Sequence, residues 1–289
     1  MGNLQAPTIL FNHGGPGIGY SEKDKALFDF SMCNVIFYDQ RGCGRSTRSE
    51  ELSNMTTQNL VKDVERILQF FKLDKIILYG GSWGSTLSLL YALDFPNKVK
   101  AIVLRGLFLG DLDSRRFFEK GAVADVFPEA WSQLASSVGI ENNNDVMDSI
   151  FRAILQEDSS SKKLAYELLV YGHRVNNMGS ISDKEKTKIR ASDFWNVARI
   201  LAHFSVNSFF LPDQFIIKSL AKLHFVPVHI IHGKNDYITP ISFAETVSKR
   251  YNNIHLYPTE GGHSHYEEVN KNKITEVLDK LLTELQLAL

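Results

Sequence analysis

Ile76-Ile77-Leu78-Tyr79-Gly80-Gly81-Ser82-Trp83-Gly84-Ser85-Thr86-Leu87 is the stretch whose reading decides the fold. A short apolar run of strand type enters a glycine turn. A helix-like stretch, Ser85 to Leu93, leaves it, with Ser82 at the bend. The pattern Gly80-x-Ser82-x-Gly84 is that of a nucleophile elbow. Glycines without Cβ atoms at its two ends let the chain close tightly, and the turn lifts one hydroxyl above a helix N-terminus. Ser82 is therefore the candidate nucleophile. The plainer reading is a glycine-rich strand-to-helix turn with a capping serine.

Working outward, further apolar runs precede turn signals. Thr8 to Phe11 leads to His13-Gly14-Gly15-Pro16-Gly17, and Val35 to Tyr38 leads to Asp39-Gln40-Arg41-Gly42-Cys43-Gly44-Arg45-Ser46. Val99 to Leu104 follows the helix after the elbow. Between the second and third runs, Leu60, Val61, Val64, Ile67, Leu68 and Phe71 recur at helical spacing. Continuous short apolar strands alternating with helices imply a mostly parallel sheet covered on both faces. From about Asp111 to Leu223 the chain turns rich in helix formers and charge, with Phe127-Pro128 and Asn142-Asn143-Asn144 as breaks. Strand signals return at Val226 to Ile231 and Asn253 to Tyr257, and Lys273 to Leu287 reads as a closing helix. The expected division is a core over 1–110, a helical insertion over 111–223 and the rest of the core over 224–289.

A serine hydroxyl needs a general base, and that base needs an acid to orient it. His232-Gly233-Lys234-Asn235-Asp236 and Gly261-Gly262-His263 each follow a predicted strand, so Asp236 and His263 fall in the same crevice as Ser82. The chain order Ser82, Asp236, His263 is that of the α/β-hydrolases. Asp236 could merely cap the turn before Pro240, and His265 is the nearest rival to His263. Two preceding glycines, which let the loop turn inward, favour His263. His13 and His232 sit at strand ends and read as structural. For the oxyanion, the N–H of Trp83 follows the nucleophile, and Gly14 or Gly15 in the first glycine loop would supply the second donor. The Asp39–Ser46 loop reads as architectural, with Arg41 and Arg45 pairing carboxylates or carbonyls and Cys43 a packed thiol.

The composition is that of an ordinary soluble globular protein. The chain has 289 residues, 44% hydrophobic and 22% charged, and a net charge of −1. That balance leaves no footprint for nucleic acid or an anionic membrane. Cys33 and Cys43 are too few for a disulfide framework and fit a reducing compartment. No spanning apolar run or secretory signal stands out, so a cytoplasmic location is expected. The chemistry calls for no metal or cofactor.

Together the strings HGGPG (13–17), DQRGCGRS (39–46), GGSWGSTL (80–87), VLRG (103–106), HGxxD (232–236) and GGHS (261–264) resemble the proline iminopeptidases, also called prolyl aminopeptidases. The resemblance runs from about Thr8 to the C-terminus, specific in the core and loose in the insertion. It implies an α/β-hydrolase fold with a helical cap, the triad named above, and release of N-terminal proline through an acyl-enzyme. The implied substrate is a small peptide.

The sequence departs from that pattern in three ways. Members of the family usually carry an extra strand pair ahead of the HGGPG strand, whereas twelve residues precede His13 here. The expectation is a missing strand pair and an uncovered sheet edge. The family also holds the substrate amine with two cap glutamates. Leu201 stands in place of one, in Ala198-Arg199-Ile200-Leu201-Ala202-His203-Phe204. Gly172 stands in place of the other, which makes its neighbour Tyr171, with Leu201, an expected substrate contact, although a register through Tyr166-Glu167 would keep a carboxylate. In the prolyl pocket Phe108 matches the family's phenylalanine, and Phe117 replaces a tyrosine. A buried ammonium without a carboxylate partner loses several kcal/mol of compensation. Uncharged small esters or amides are thus an alternative substrate class, and His173 and Arg174 would favour an acidic group. A non-catalytic binding protein on the same fold is the rival from another class.

Overall fold

Six strands build the sheet: β1 (Thr8–Asn12), β2 (Asn34–Phe37), β3 (Ile76–Gly81), β4 (Val99–Arg105), β5 (Val228–Gly233) and β6 (Ile254–Thr259). Their order is β2-β1-β3-β4-β5-β6, and every neighbouring pair runs parallel. The computed structural model describes residues 1–48, 51–119, 122–139 and 146–287. The expected break at Asn142 to Asn144 lies outside them.

The central strands β3 and β4 are apolar on both faces because both faces are covered. Ile76, Leu78, Ile102, Leu104 and Ile230 enter one core with helices α1 (Thr57–Phe71) and α2 (Trp83–Asp94). Their neighbours Ile77, Tyr79, Val103 and Ile231 enter the opposite core. Burying such a side chain stabilises by about 1.5–3 kcal/mol. In α1 the stripe Leu60, Val61, Val64 and Leu68 faces the sheet, and the Thr56 hydroxyl caps the helix by accepting from the Asn59 N–H at 3.3 Å. Helix α2 is buried from Trp83 to Leu93, with the Ser85, Thr86 and Ser88 hydroxyls donating to nearby carbonyls, so it shows no amphipathic stripe.

Between β4 and β5 lie helices α3 (Leu112–Glu119), α4 (Ala122–Val126), α5 (Pro128–Val138), α6 (Val146–Leu155), α7 (Ser161–Asn176), α8 (Asp183–Ala191), α9 (Phe194–Val206) and α10 (Phe215–Ser219). They form a cap with an apolar core of its own, including Trp131, Ile150, Phe151, Leu168, Tyr171 and Ala202. Phe209, Ile216, Leu220 and Leu223 pack instead into the core beneath the sheet. Phe127-Pro128 is a break as expected, since Pro128 opens α5 at a position that needs no N–H donor.

The chain closes with α11 (Ile241–Arg250) and α12 (Glu268–Leu287). Helix α12 starts before the expected Lys273. Its first turn buries a polar residue, Asn270, whose side chain donates to the carbonyls of Gly262 (3.0 Å) and Ser264 (2.8 Å). A search for apolar periodicity passes over such a turn. Among the described residues no strand precedes β1. The outer edge of β2 is not wholly bare, because Gly2 makes an isolated antiparallel bridge with Asn34 and the Val35 N–H donates to the Met1 carbonyl at 2.7 Å. No described helix is long and apolar enough to cross a membrane.

Candidate active site

Ser82 sits between β3 and α2 with φ 55° and ψ −124°, a conformation that costs energy in a non-glycine residue. Close packing holds it there. A Cβ at Gly84 would lie 2.0 Å from the Asn12 carbonyl oxygen, so the start of α2 abuts the end of β1. The Ser82 N–H donates to the Arg105 carbonyl at 2.8 Å.

The loops after β5 and β6 bring Asp236 and His263 together, with the His263 Nδ1 2.8 Å from the Asp236 Oδ2. Gly106, at φ +57°, makes the room: a Cβ there would stand 3.1 Å from the His263 ring and 3.2 Å from the Asp236 carboxylate. Asp236 is buried, and its Oδ1 accepts the N–H groups of Ile238 (2.9 Å) and Thr239 (2.8 Å). Burial alone would raise its pKa. The adjacent His263 and hydrogen bonds with His232 and His263 outweigh that effect and hold the carboxyl well below the usual range. His263 has its own pKa lowered by burial, which Asp236 only partly offsets. At neutral pH this leaves a carboxylate beside a neutral imidazole. With Nδ1 donating to Asp236, Nε2 is free to accept a proton.

Ser82 and His263 line one cavity of about 470 Å³ with Gly14, Gly15, Phe108 and Leu201. Gly14 lies against the elbow, since a Cβ on it would be 3.5 Å from the Ser82 Cβ. The N–H of Trp83 belongs to the residue after the bend. Its side chain is fully buried between Phe204 and Phe209, at ring distances of 5.1 and 5.4 Å.

Two expected substrate contacts fall elsewhere. Tyr171 is buried in the cap's core, 5.3 Å from the Phe118 ring and 5.9 Å from Trp131, and does not line the cavity. Phe117 packs against the same core, and its neighbour Phe118 lines the cavity instead. Helical geometry explains the first correction. On α7, Leu164, Leu168, Tyr171 and Val175 form the core stripe, whereas Leu169, Gly172, His173 and Asn176 form the cavity stripe. Gly172 therefore faces the cavity. Glu167 does not line it. Arg174 is turned away, donating to the Gly179 carbonyl (3.1 Å) and Gln133 (2.7 Å).

Several lining residues escaped the sequence reading. Asp24 accepts from the Nε2 of His265 (2.7 Å) and the Tyr266 hydroxyl (2.8 Å). Arg105 Nη1 donates to the His263 carbonyl at 2.7 Å. His265, the rival of His263, is thus engaged by Asp24 rather than Asp236. Arg115 and Glu119 form an ion pair at 3.0 Å in the cap wall. Only the i,i+4 spacing of that pair was visible in advance.

The surrounding loops behave as framework. Arg41 makes a two-pronged contact with Asp63, both bonds 2.6 Å, and Arg45 pairs with Asp39 at 3.1 Å. Cys43 is a buried free thiol pushed up to about 12 by burial, so it is not a thiolate nucleophile. His232 accepts the Leu107 N–H (3.3 Å) and its Nε2 lies 2.6 Å from the Thr239 carbonyl oxygen.

A family model described as the alpha/beta hydrolase fold matches residues 7–268, which agrees with the sheet and the elbow. The molecule is an α/β-hydrolase. Proline iminopeptidase of Neisseria gonorrhoeae is 29% identical over 98% of this chain and 91% of its own length. That of Arabidopsis thaliana is 30% identical over 91% of this chain and 70% of its own. The chain belongs to the proline iminopeptidase family. Solved structures support the fold alone. An esterase from Exiguobacterium antarcticum superposes with a TM-score of 0.64 at 19% identity, covering 96% of this chain and 92% of its own. A haloalkane dehalogenase loop variant from Bradyrhizobium elkanii gives 0.68 at 15% identity, covering 100% and 92%. The breadth of that chemistry shows that the fold by itself does not choose the substrate.

Proposed function

We propose that this chain is a serine hydrolase that releases N-terminal proline from small peptides, with Ser82, His263 and Asp236 as its triad. The observation that carries the reading is the Asp236–His263 pair, 2.8 Å apart, whose His263 lines the same cavity as the elbow serine. In the first half-reaction Ser82 Oγ attacks the prolyl carbonyl carbon while His263 Nε2 takes its proton. Asp236 orients the ring and stabilises the imidazolium. The N–H of Trp83 and that of Gly14 or Gly15 receive the oxyanion. His263 then gives the proton to the departing amine as the C–N bond breaks, leaving a prolyl ester on Ser82. Water, deprotonated by His263, hydrolyses that ester and restores the serine.

Phe108, Phe118, Leu169 and Leu201 are among the apolar residues lining the cavity and suit an apolar ring. Asp24 and Glu119 are the carboxylates among the described lining residues. With Gly and Leu at positions 172 and 201, a carboxylate anchor for the substrate amine within this lining would be Asp24 or Glu119.

The deciding experiment is a rate assay on proline-β-naphthylamide, with the amine free and acetylated, for wild type and Ser82→Ala. The reading expects faster cleavage of the free amine and loss of turnover in the variant. Faster cleavage of the acetylated compound would move the enzyme to uncharged amides and esters. Undiminished turnover by Ser82→Ala would sink the triad.

A further inference from the structure

The two elements assigned to the oxyanion hole belong to different parts of the fold. The His13–Gly17 loop follows β1, and the Trp83 N–H opens α2. Catalysis depends on donors aimed at one point, so something must set their separation.

Gln40, from the loop after β2, contacts both. Its side-chain oxygen accepts from the Trp83 indole Nε1–H at 2.9 Å, and its Nε2 donates to the His13 carbonyl at 2.9 Å. Its backbone N–H donates to the His13 ring Nε2 at 2.9 Å, while the His13 Nδ1 lies 2.8 Å from the Gly14 carbonyl oxygen. With Nε2 accepting, Nδ1–H donates to that carbonyl, which is the neutral tautomer. Burial lowers the His13 pKa, consistent with that neutral form. Gln40, His13 and Trp83 are all almost wholly buried, so water cannot substitute for a broken bond. An unmade buried hydrogen bond costs about 1–3 kcal/mol. Gln40 does not line the cavity and cannot touch substrate.

We infer that Gln40 is a positioning residue of the oxyanion hole: one buried amide fixes the glycine loop against the elbow. This rests on the proposed use of the Trp83 and Gly14 or Gly15 N–H groups. The carboxamide suits the task because it offers an acceptor to the indole and a donor to the carbonyl at once. A carboxylate could serve only the first partner, and an apolar side chain neither.

The test is Gln40→Leu, which removes both bonds, beside Gln40→Glu, which spares the indole bond and sets a carboxylate against the His13 carbonyl. Each variant is assayed on the substrate that wild type cleaves, and inhibition by a proline boronic acid, whose tetrahedral adduct occupies the oxyanion hole, is measured. A positioning role predicts kcat lower by roughly 10- to 100-fold in both, KM within about twofold, and boronate affinity falling in step with kcat. A merely structural role would lower the fraction folded and leave KM and boronate affinity of the remainder unchanged. A folded variant with kcat within about twofold of wild type, or with boronate affinity unmoved, overturns the inference. If Gln40→Leu does not fold, Gln40→Glu decides by the same criteria. Wild-type inactivity on prolyl substrates would count against the proposed function, whereas an active wild type with indifferent Gln40 variants would count against Gln40 alone.

Discussion

The floor of the cavity and its roof are held together by different means. In the floor, glycines leave no room for a side chain: a Cβ at Gly84 would collide with the Asn12 carbonyl, and one at Gly106 would crowd the Asp236–His263 pair. Buried or half-buried side-chain hydrogen bonds tie the loops to their surroundings, through Gln40, Arg105 and Asn270. In the roof, amphipathic helices pack through side chains around Trp131, Phe151 and Tyr171. A Cβ at Gly172 would meet nothing within 4 Å. The difference teaches where change is tolerated. Sub-ångström geometry governs acyl transfer, so the floor resists substitution. The roof only has to offer a surface of suitable shape and charge, and it can exchange a side chain without moving the chemistry below.

The largest effect should come from the floor. Asp236→Asn keeps the shape but permits the wrong tautomer of His263. It should lower kcat by about 10⁴-fold while the folded state persists. A loss smaller than tenfold would mean that the Asp236 bond is not catalytic, and the contrast between floor and roof would weaken.

A roof substitution should act on selection instead. Gly172→Glu places a carboxylate in open space facing the cavity that Leu201 also lines. Preference for free-amine over acetylated proline-β-naphthylamide should rise by roughly tenfold, mainly through KM, because a buried carboxylate gains from an ammonium partner. An unchanged ratio with a normal kcat would show that this face does not meet the substrate's amine.

The smallest effect concerns pH. In the proposed mechanism His263 takes the serine proton in its neutral form, so kcat/KM should fall as pH drops through its pKa. Burial pushes that pKa below the ordinary 6.5, so the acid limb should lie below 6.5. Asp236 opposes that push, and Asp236→Asn should carry the limb to still lower pH. A wild-type limb above 6.5 would mean that the carboxylate outweighs burial at this site.

Much of the floor was legible beforehand. Ser82, Asp236 and His263 each follow an apolar run, and the strand-turn-helix grammar alone puts them at one edge of a parallel sheet. Gln40 was not legible, since a glutamine in a glycine-rich loop carries no sign of its partners 27 and 43 residues away along the chain. Phe117 and Tyr171 were misassigned because a match to a family pattern says which helix approaches the substrate but not which stripe of it. The stripe Leu169, Gly172, His173 and Asn176 has the helical spacing of a face, yet its apolar and polar members mask it beside the stronger stripe through Leu168 and Tyr171.

By itself, then, the sequence determined the alternation of strands and helices, the elbow and the chain order of its chemical groups. Those depend on local backbone sterics and on hydrophobic periodicity, both written in neighbouring residues. Only the tertiary structure decided that His263 rather than His265 meets Asp236, that Gly172 and Leu201 face the cavity while Tyr171 does not, and that Gln40 bridges two loops. Those outcomes depend on how separate elements pack and on which buried polar groups find partners, and that information exists only once the chain has closed on itself.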